Sequence, residues 1–338
     1  MRALRSQLRL DARTAYRGKF LHVTVGMALV FGLLIRFAVP AQIEGGGSEL
    51  IQDAVGLKAL NGAMTQLVST EAELRGGLVE NPDLVGVQFF GSVPTPRVRL
   101  LLQGHESEDL RGLSAATATR VWMEEGVTSR TGHVVELLGP QVPPAPLNET
   151  FLPLLYGLDT VILGFLFAGV MVLQEKAHGT VRFYRASPGS TSAYVASKVL
   201  VVTGIALVGA GVMTALVRPD ALPNLRLLAL LALATASLSL LGMGIAIFYD
   251  NLSRFFYPMA AAGIVLSLPM IRYGLPSAGL EWTRWIPTHG VMFGARELLL
   301  PAGRPELVTT SLGYLLAVFL TAAAAGTAIV HGRLMRRI

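Results

Sequence analysis

Few side chains in this sequence are placed to do catalytic chemistry. None of the four lysines, Lys19, Lys58, Lys176 and Lys198, stands in a Gly-x-x-x-x-Gly-Lys-Ser/Thr pattern, so no loop here is built to cradle ATP phosphates. The six histidines (His22, His105, His133, His178, His289 and His331) show no ligand spacing, and neither His-Glu-x-x-His nor Gly-x-Ser-x-Gly occurs. Cysteine is absent, which removes disulfides and thiolate metal sites. An enzyme, a metal or a cofactor bound by this chain is therefore not expected. The charged groups that need explaining sit beside long apolar runs instead. They are the stretch Gln174 to Pro188, between two such runs, and Asp159, inside one.

Those runs set the class. Hydrophobic residues make up 52% and charged residues 15%, too oily for a soluble chain, which is ordinarily about a quarter charged. A mean hydropathy of +0.54 agrees. The formal charge of +6 comes mostly from arginines at the edges of apolar segments, so it does not point to nucleic acid. The expected fold is an all-α polytopic membrane protein with six transmembrane helices and a small α+β extracytoplasmic domain between the first and second. The spans are read at 20–40, 150–173, 193–217, 225–249, 255–273 and 308–330, near the ~20 apolar residues a bilayer crossing needs. The basic N-terminal region, the Gln174 to Pro188 loop, Arg254 and the basic tail 331–338 then fall on one face. The positive-inside rule makes that face cytoplasmic, and a plasma-membrane location with both termini inside is expected. The first run competes with a signal peptide ending near Val39-Pro40-Ala41. Its length and Arg36, which can snorkel to the far interface, favour a retained helix.

Residues 1–19 place Arg5, Arg9, Arg13 and Arg17 four apart, with Leu4, Leu8, Ala12 and Tyr16 as the neighbouring stripe and Asp11 as the single acid. Such a helix suits the membrane interface, guanidiniums at the phosphates and apolar stripe below; a plain basic tail that fixes orientation is the alternative. Residues 41–149 are acidic and turn-rich, with a flexible Gly45-Gly46-Gly47-Ser48 tether. Leu84 to Phe90 and Arg97 to Leu102 read as strands around a turn, His133 to Leu138 as a third, and Glu106 to Glu125 as a capped helix. Pro140, Pro143, Pro144 and Pro146 form a stiff return. Residues 274–305 are too broken to cross. Trp282 and Trp285 there suggest interfacial or re-entrant helices, with an amphipathic loop as the alternative. Asp159 is a functional candidate because desolvating a carboxylate is expensive; a pathway role stands beside a solvated position near the outer interface.

Glu175-Lys176-x-x-Gly179-Thr180, followed by Ser187-Pro188 and Lys198, resembles the first intracellular loop of ABC-2 type transporter permeases. The layout is similar to that of bacterial drug-export permeases, including those for fluoroquinolones. The resemblance implies a coupling helix on residues 174–192, with Glu175, Lys176, Gly179, Thr180, Arg182, Arg185, Ser187 and Pro188 facing a separate ATP-hydrolysing subunit. It further implies ATP and magnesium on that subunit, a second permease (a copy or a related chain), and export of a drug-like, lipid-like or other amphipathic substrate. Ala177-His178 departs from the family, which often carries another acid there. Glu175 is expected to offer its carboxylate to partner cations. A membrane protein whose outer domain binds a ligand or partner, without transport, is the reading from a different class.

Overall fold

The computed structural model describes residues 2–39, 49–54, 66–80, 84–92, 95–104, 114–115, 134–137, 147–186, 190–222, 224–274, 280–300 and 303–335. These fall into two compact units: a helical one, 1–41 with 147–273 and 281–338, and a second, 42–146 with 274–280.

The helical unit is that of a multi-pass membrane protein. Among the described residues it holds six helices long and apolar enough to cross a bilayer: Phe20–Ala38, Asn148–Ala177, Thr191–Val217, Leu225–Ala246, Leu252–Gly274 and Pro305–Arg333. We label its elements α1 (Arg2–Arg17), α2 (Phe20–Ala38), α4 (Leu147–Asp159), a π-helical segment Thr160–Phe167, α5 (Ala168–Ala177), α6 (Thr180–Ala186), α7 (Thr191–Val217), α8 (Leu225–Ala246), α9 (Leu252–Gly274), α10 (Pro287–Leu299) and α11 (Pro305–Ile329); α3 belongs to the second unit. Helix α4, the π segment and α5 form one continuous second span.

Its core has two apolar layers. One gathers Phe165, Met171, Val172, Val202, Leu238, Met243 and Phe255; the other gathers Tyr156, Met213, Leu230, Leu231, Val291 and Leu315. The π segment lies so close to α8 that a Cβ on Gly242 would stand 2.0 Å from the Phe165 carbonyl oxygen, an approach only glycine permits. Several hydroxyls inside the spans find partners within the chain, as a medium without water favours: Tyr156 Oη pairs with Thr214 Oγ1 at 2.6 Å, and Ser239 donates to the Thr235 carbonyl.

Helix α10 differs from a surface-lying segment. Gly290, Val291, Met292, Gly294 and Ala295 are all buried, because small residues let it pack into the bundle. Trp282 and Trp285, on the 3₁₀ turn before it, stay exposed.

The second unit contains a five-stranded sheet in the order β2-β1-β3-β4-β5, formed by β1 (Glu49–Asp53), β2 (Gln66–Val68), β3 (Val85–Ser92), β4 (Thr95–Leu102) and β5 (Val134–Leu137). Only β3 and β4 pair antiparallel; β1 runs parallel to both β2 and β3, and β5 runs parallel to β4. Helix α3 (Glu71–Glu80) sends Leu74 and Leu78 into a core with Leu50, Leu84 and Leu101. The expected strands 84–90, 97–102 and 133–138 correspond to β3, β4 and β5, whereas β1, β2 and α3 were not anticipated. Of the expected helix 106–125, only Ser114 and Ala115 are described, both helical; the glycine tether and the proline-rich return lie outside the described residues.

Polar residues lock α3 to the sheet. Glu71 accepts from Arg75 Nε at 2.9 Å and from Gln88 Nε2 at 3.3 Å, while Arg75 reaches Glu136 on β5 at 2.9 Å. The Arg75 hydrogen bond, then that of Gln88, holds the Glu71 carboxyl below its ordinary range. A depressed carboxyl contributes stability that is present above its unfolded value and lost as pH falls through the folded one. Acidification through the carboxylate range should therefore lower the hydrogen-exchange protection of the β3 and β4 amides more steeply in the parent than in Glu71→Gln. Equal slopes would show that this network does not hold the helix to the sheet.

Candidate functional site: the charged node at the end of the second span

The second span does not stop at Leu173. It continues to Ala177, so Gln174, Glu175 and Lys176 form its last turn rather than a loop. The chain breaks helix at His178-Gly179, where Gly179 takes φ +70°, and restarts as α6. A Cβ at Gly179 would meet nothing within 4 Å, so within this chain glycine is required there by backbone conformation, not by space.

That last turn is anchored in two directions. Glu175 Oε1 accepts from Lys198 Nζ at 2.6 Å and Glu175 Oε2 from Tyr194 Oη at 2.5 Å. Lys198, on α7, is fully buried and also donates to Asp11 Oδ1 of α1 at 3.0 Å. Asp11 is buried too, and accepts further from Ser197 Oγ and from Gln7 Nε2. The Lys198 ammonium stands 4.3 Å from the centre of the Tyr194 ring, a cation–π contact in a desolvated place. The next residue, Lys176, donates to the Ile247 and Tyr249 carbonyls at 3.0 and 2.5 Å. These carbonyls close the C-terminal end of α8, where the helix dipole favours a cation. Two consecutive residues thus tie the span to α1, α7 and α8.

This differs from the expected partner-facing carboxylate. The Glu175 side chain is only 12% exposed, and its oxygens are spent inside the chain. The α1 helix differs as well. Arg5, Arg9, Arg13 and Arg17 are exposed as expected, but so are Ala12 and Tyr16 of the supposed apolar stripe. The face that docks on α7 is Gln7, Asp11 and Ala15, because Lys198 pulls the one acid of this helix inward. The sequence marks Asp11 only as a lone acid among arginines; its alignment with Gln7 and Ala15 is the signal of this docking face.

Helix α6 carries Thr180, Arg182 and Arg185, while Ser187 and Pro188 lie outside the described residues. Val181 is buried, Tyr184 Oη donates to the Ser190 carbonyl at 2.9 Å, and Phe183 points away with 77% of its surface exposed. Burial first, then the carboxylates of Asp11 and Glu175, raises the Tyr184 hydroxyl above its ordinary range. Beside α6, Thr191 Oγ1 pairs with His331 Nδ1 at 3.0 Å.

A second ionic node closes the other end of α7. Arg218 Nη1 reaches Glu149 Oε2 at 2.5 Å and the Leu299 carbonyl at 2.8 Å, and Arg218 Nε meets Asp220 at 3.0 Å. At 1.5 Å per residue, Lys198 and Arg218 lie roughly 30 Å apart along the helix, about one hydrocarbon thickness. Asp159 sits between the two nodes, about 15 Å along the span from Glu149 and so well inside rather than at an edge. It lines a small cavity with Met27 and Phe31 of α2 and Met213 of α7.

Among the described residues, no group of three or more His, Cys, Asp or Glu is placed to hold a metal ion. No family model, curated protein or solved structure matches this chain.

Breaking a buried pair by removing one partner typically costs about 3–5 kcal/mol, since the other charge is stranded. Lys198 strands two acids, so its loss should be the more damaging. The burial itself is directly measurable. Amine acylation of the native protein in membranes, read by mass spectrometry, should modify exposed Lys19 readily and leave Lys198 untouched until the chain unfolds. Modification of Lys198 at the rate of Lys19 would show that the node is open.

Proposed function

We propose that this chain is the membrane-spanning permease subunit of an ABC-2 type exporter. It moves a drug-like, lipid-like or other amphipathic substrate across the plasma membrane, with ATP and magnesium bound by a separate ATPase subunit. The observation that carries the reading is α6: a separate short helix between two spans, on the stretch that resembles the family's coupling loop, with an aromatic side chain left uncovered.

In this reading both termini and α6 face the cytoplasm, and the ATPase receives Phe183 in an apolar cleft. Glu175 and Lys176 act behind the contact, holding the end of the second span so that a push on α6 moves that span and not merely a loop. Helices α9 and α11 bury few of their residues in the single chain, which suits lipid and a second permease, a copy or a related chain. ATP-driven closure of the ATPases then rocks the two bundles between inward-open and outward-open states, as alternating access requires.

Phe183→Asp should weaken co-purification with the ATPase and abolish substrate-stimulated hydrolysis in liposomes, while the chain inserts and folds like the parent. Glu175→Gln should instead lower the stability of the permease. If Phe183→Asp binds, hydrolyses and transports like the parent, α6 is not the coupling element and the assignment loses its main support.

A further inference from the structure

Five cations on and just after α1 have nothing in the chain to answer them. Arg5, Arg9, Arg13, Arg17 and Lys19 are all exposed, and among the described residues none of the five pairs with a carboxylate. The one acid of this helix, Asp11, faces the other way and is held by Lys198. Gln7, Asp11 and Ala15 are the buried face of α1; with 3.6 residues to a turn, Arg9 and Arg13 fall on the opposite side. Arg5 and Arg17 flank them. The four guanidiniums therefore stand on the face turned away from the bundle, spread over roughly 18 Å of helix.

Two connections fix the depth of this face. Only Gly18 and Lys19 separate α1 from the first span, with Lys19 turning the chain at φ +62°. The middle of α1 is held by the other end of the argument's geometry, α7: Asp11 bonds Ser197 and Lys198. These two residues lie roughly 10 Å along that span from its start at Thr191. Serine is short, so Asp11 has to sit beside the span and not beneath its end. Leu10 and Tyr16, 49% and 59% exposed among the arginines, suit that level. There apolar side chains meet acyl chains while guanidiniums reach headgroups.

We infer that the outward face of α1 is a docking surface for anionic phospholipid headgroups and selects them over zwitterionic ones. Guanidiniums pair with phosphate through two parallel hydrogen bonds. A zwitterionic lipid offers the same phosphate but brings a cation with it, which a face of unanswered positive charge repels. Each basic residue at an anionic surface is worth about fivefold in binding. An acidic protein surface would meet the same charges, but not the depth of the helix or the exposed Leu10 and Tyr16. The inference rests on the membrane setting alone and needs no ATPase partner.

The test is native mass spectrometry of the full chain in a neutral detergent. Phosphatidylglycerol and phosphatidylcholine with the same acyl chains compete in equal amounts. The parent should prefer phosphatidylglycerol by tenfold or more, and added salt should erode the preference. Arg9→Gln should cut it by about fivefold, Arg9→Gln with Arg13→Gln should cut it further, and Arg9→Lys should keep most of it. Soluble glycerol phosphate should not compete, because it lacks the chains that Leu10 and Tyr16 meet. No preference in the parent overturns the inference. So does a preference that survives in the folded Arg9→Gln/Arg13→Gln variant, since the lipid then binds elsewhere and the stripe serves another partner. Should the double variant not fold, an unchanged preference in Arg9→Gln alone overturns it equally.

Discussion

A lysine with no exposed surface has to be answered by acids, and Lys198 is answered by two of them from different parts of the chain, Asp11 and Glu175. Desolvating an ammonium costs several kcal/mol, recovered only when geometry and hydrogen bonding are good. Ser197 and Tyr194 complete that bonding by occupying the other oxygen of each carboxylate, and Gln7 adds a second donor to the Asp11 oxygen that Lys198 holds. The first helix, the end of the second span and the start of the third are therefore fixed together by one charge. Their relative placement is specified by polar contacts that tolerate little displacement, where apolar packing alone would allow sliding.

The same logic recurs at the far end of the third span, where Arg218 gathers Glu149, Asp220 and the Leu299 carbonyl. The second and third spans are consequently joined twice, by Glu175–Lys198 and by Glu149–Arg218, about a bilayer's hydrocarbon thickness apart. Between the joints the packing is of another kind. The π segment meets α8 at Gly242, and Asp159 faces a small cavity. Ionic joints at both ends thus flank an irregular middle. That suits the proposed role, in which a push on α6 must reach the middle of the membrane.

The six spans were legible because a bilayer-length apolar run is a strong, local signal. Their ends were not. The second span runs on through Gln174 to Ala177 because Glu175 and Lys176 find partners on other helices, information absent from the segment itself. For the same reason the sequence points Glu175 towards partner cations and gives Asp11 no role. The strand 84–90 announced itself by valines and phenylalanines and 97–102 by an apolar run after a turn, whereas Glu49–Asp53 did not. This strand is buried between two neighbours, with Gln52 hydrogen-bonded to Gln88, and polar side chains disguised it. Helix α10 was legible as too short to cross. Its burial followed from glycines that matter only once a neighbouring helix is present.

If Lys198 organises this end of the bundle, its energetic coupling to Asp11 must be large. A double-mutant cycle on Asp11→Asn, Lys198→Gln and the combined variant, by reversible chemical unfolding in one detergent, measures that coupling directly. The account predicts that the double variant loses less than the sum of the singles, by on the order of 1–3 kcal/mol. Additive losses would mean that the two residues do not sense each other, and that the first helix is held to the bundle by something else.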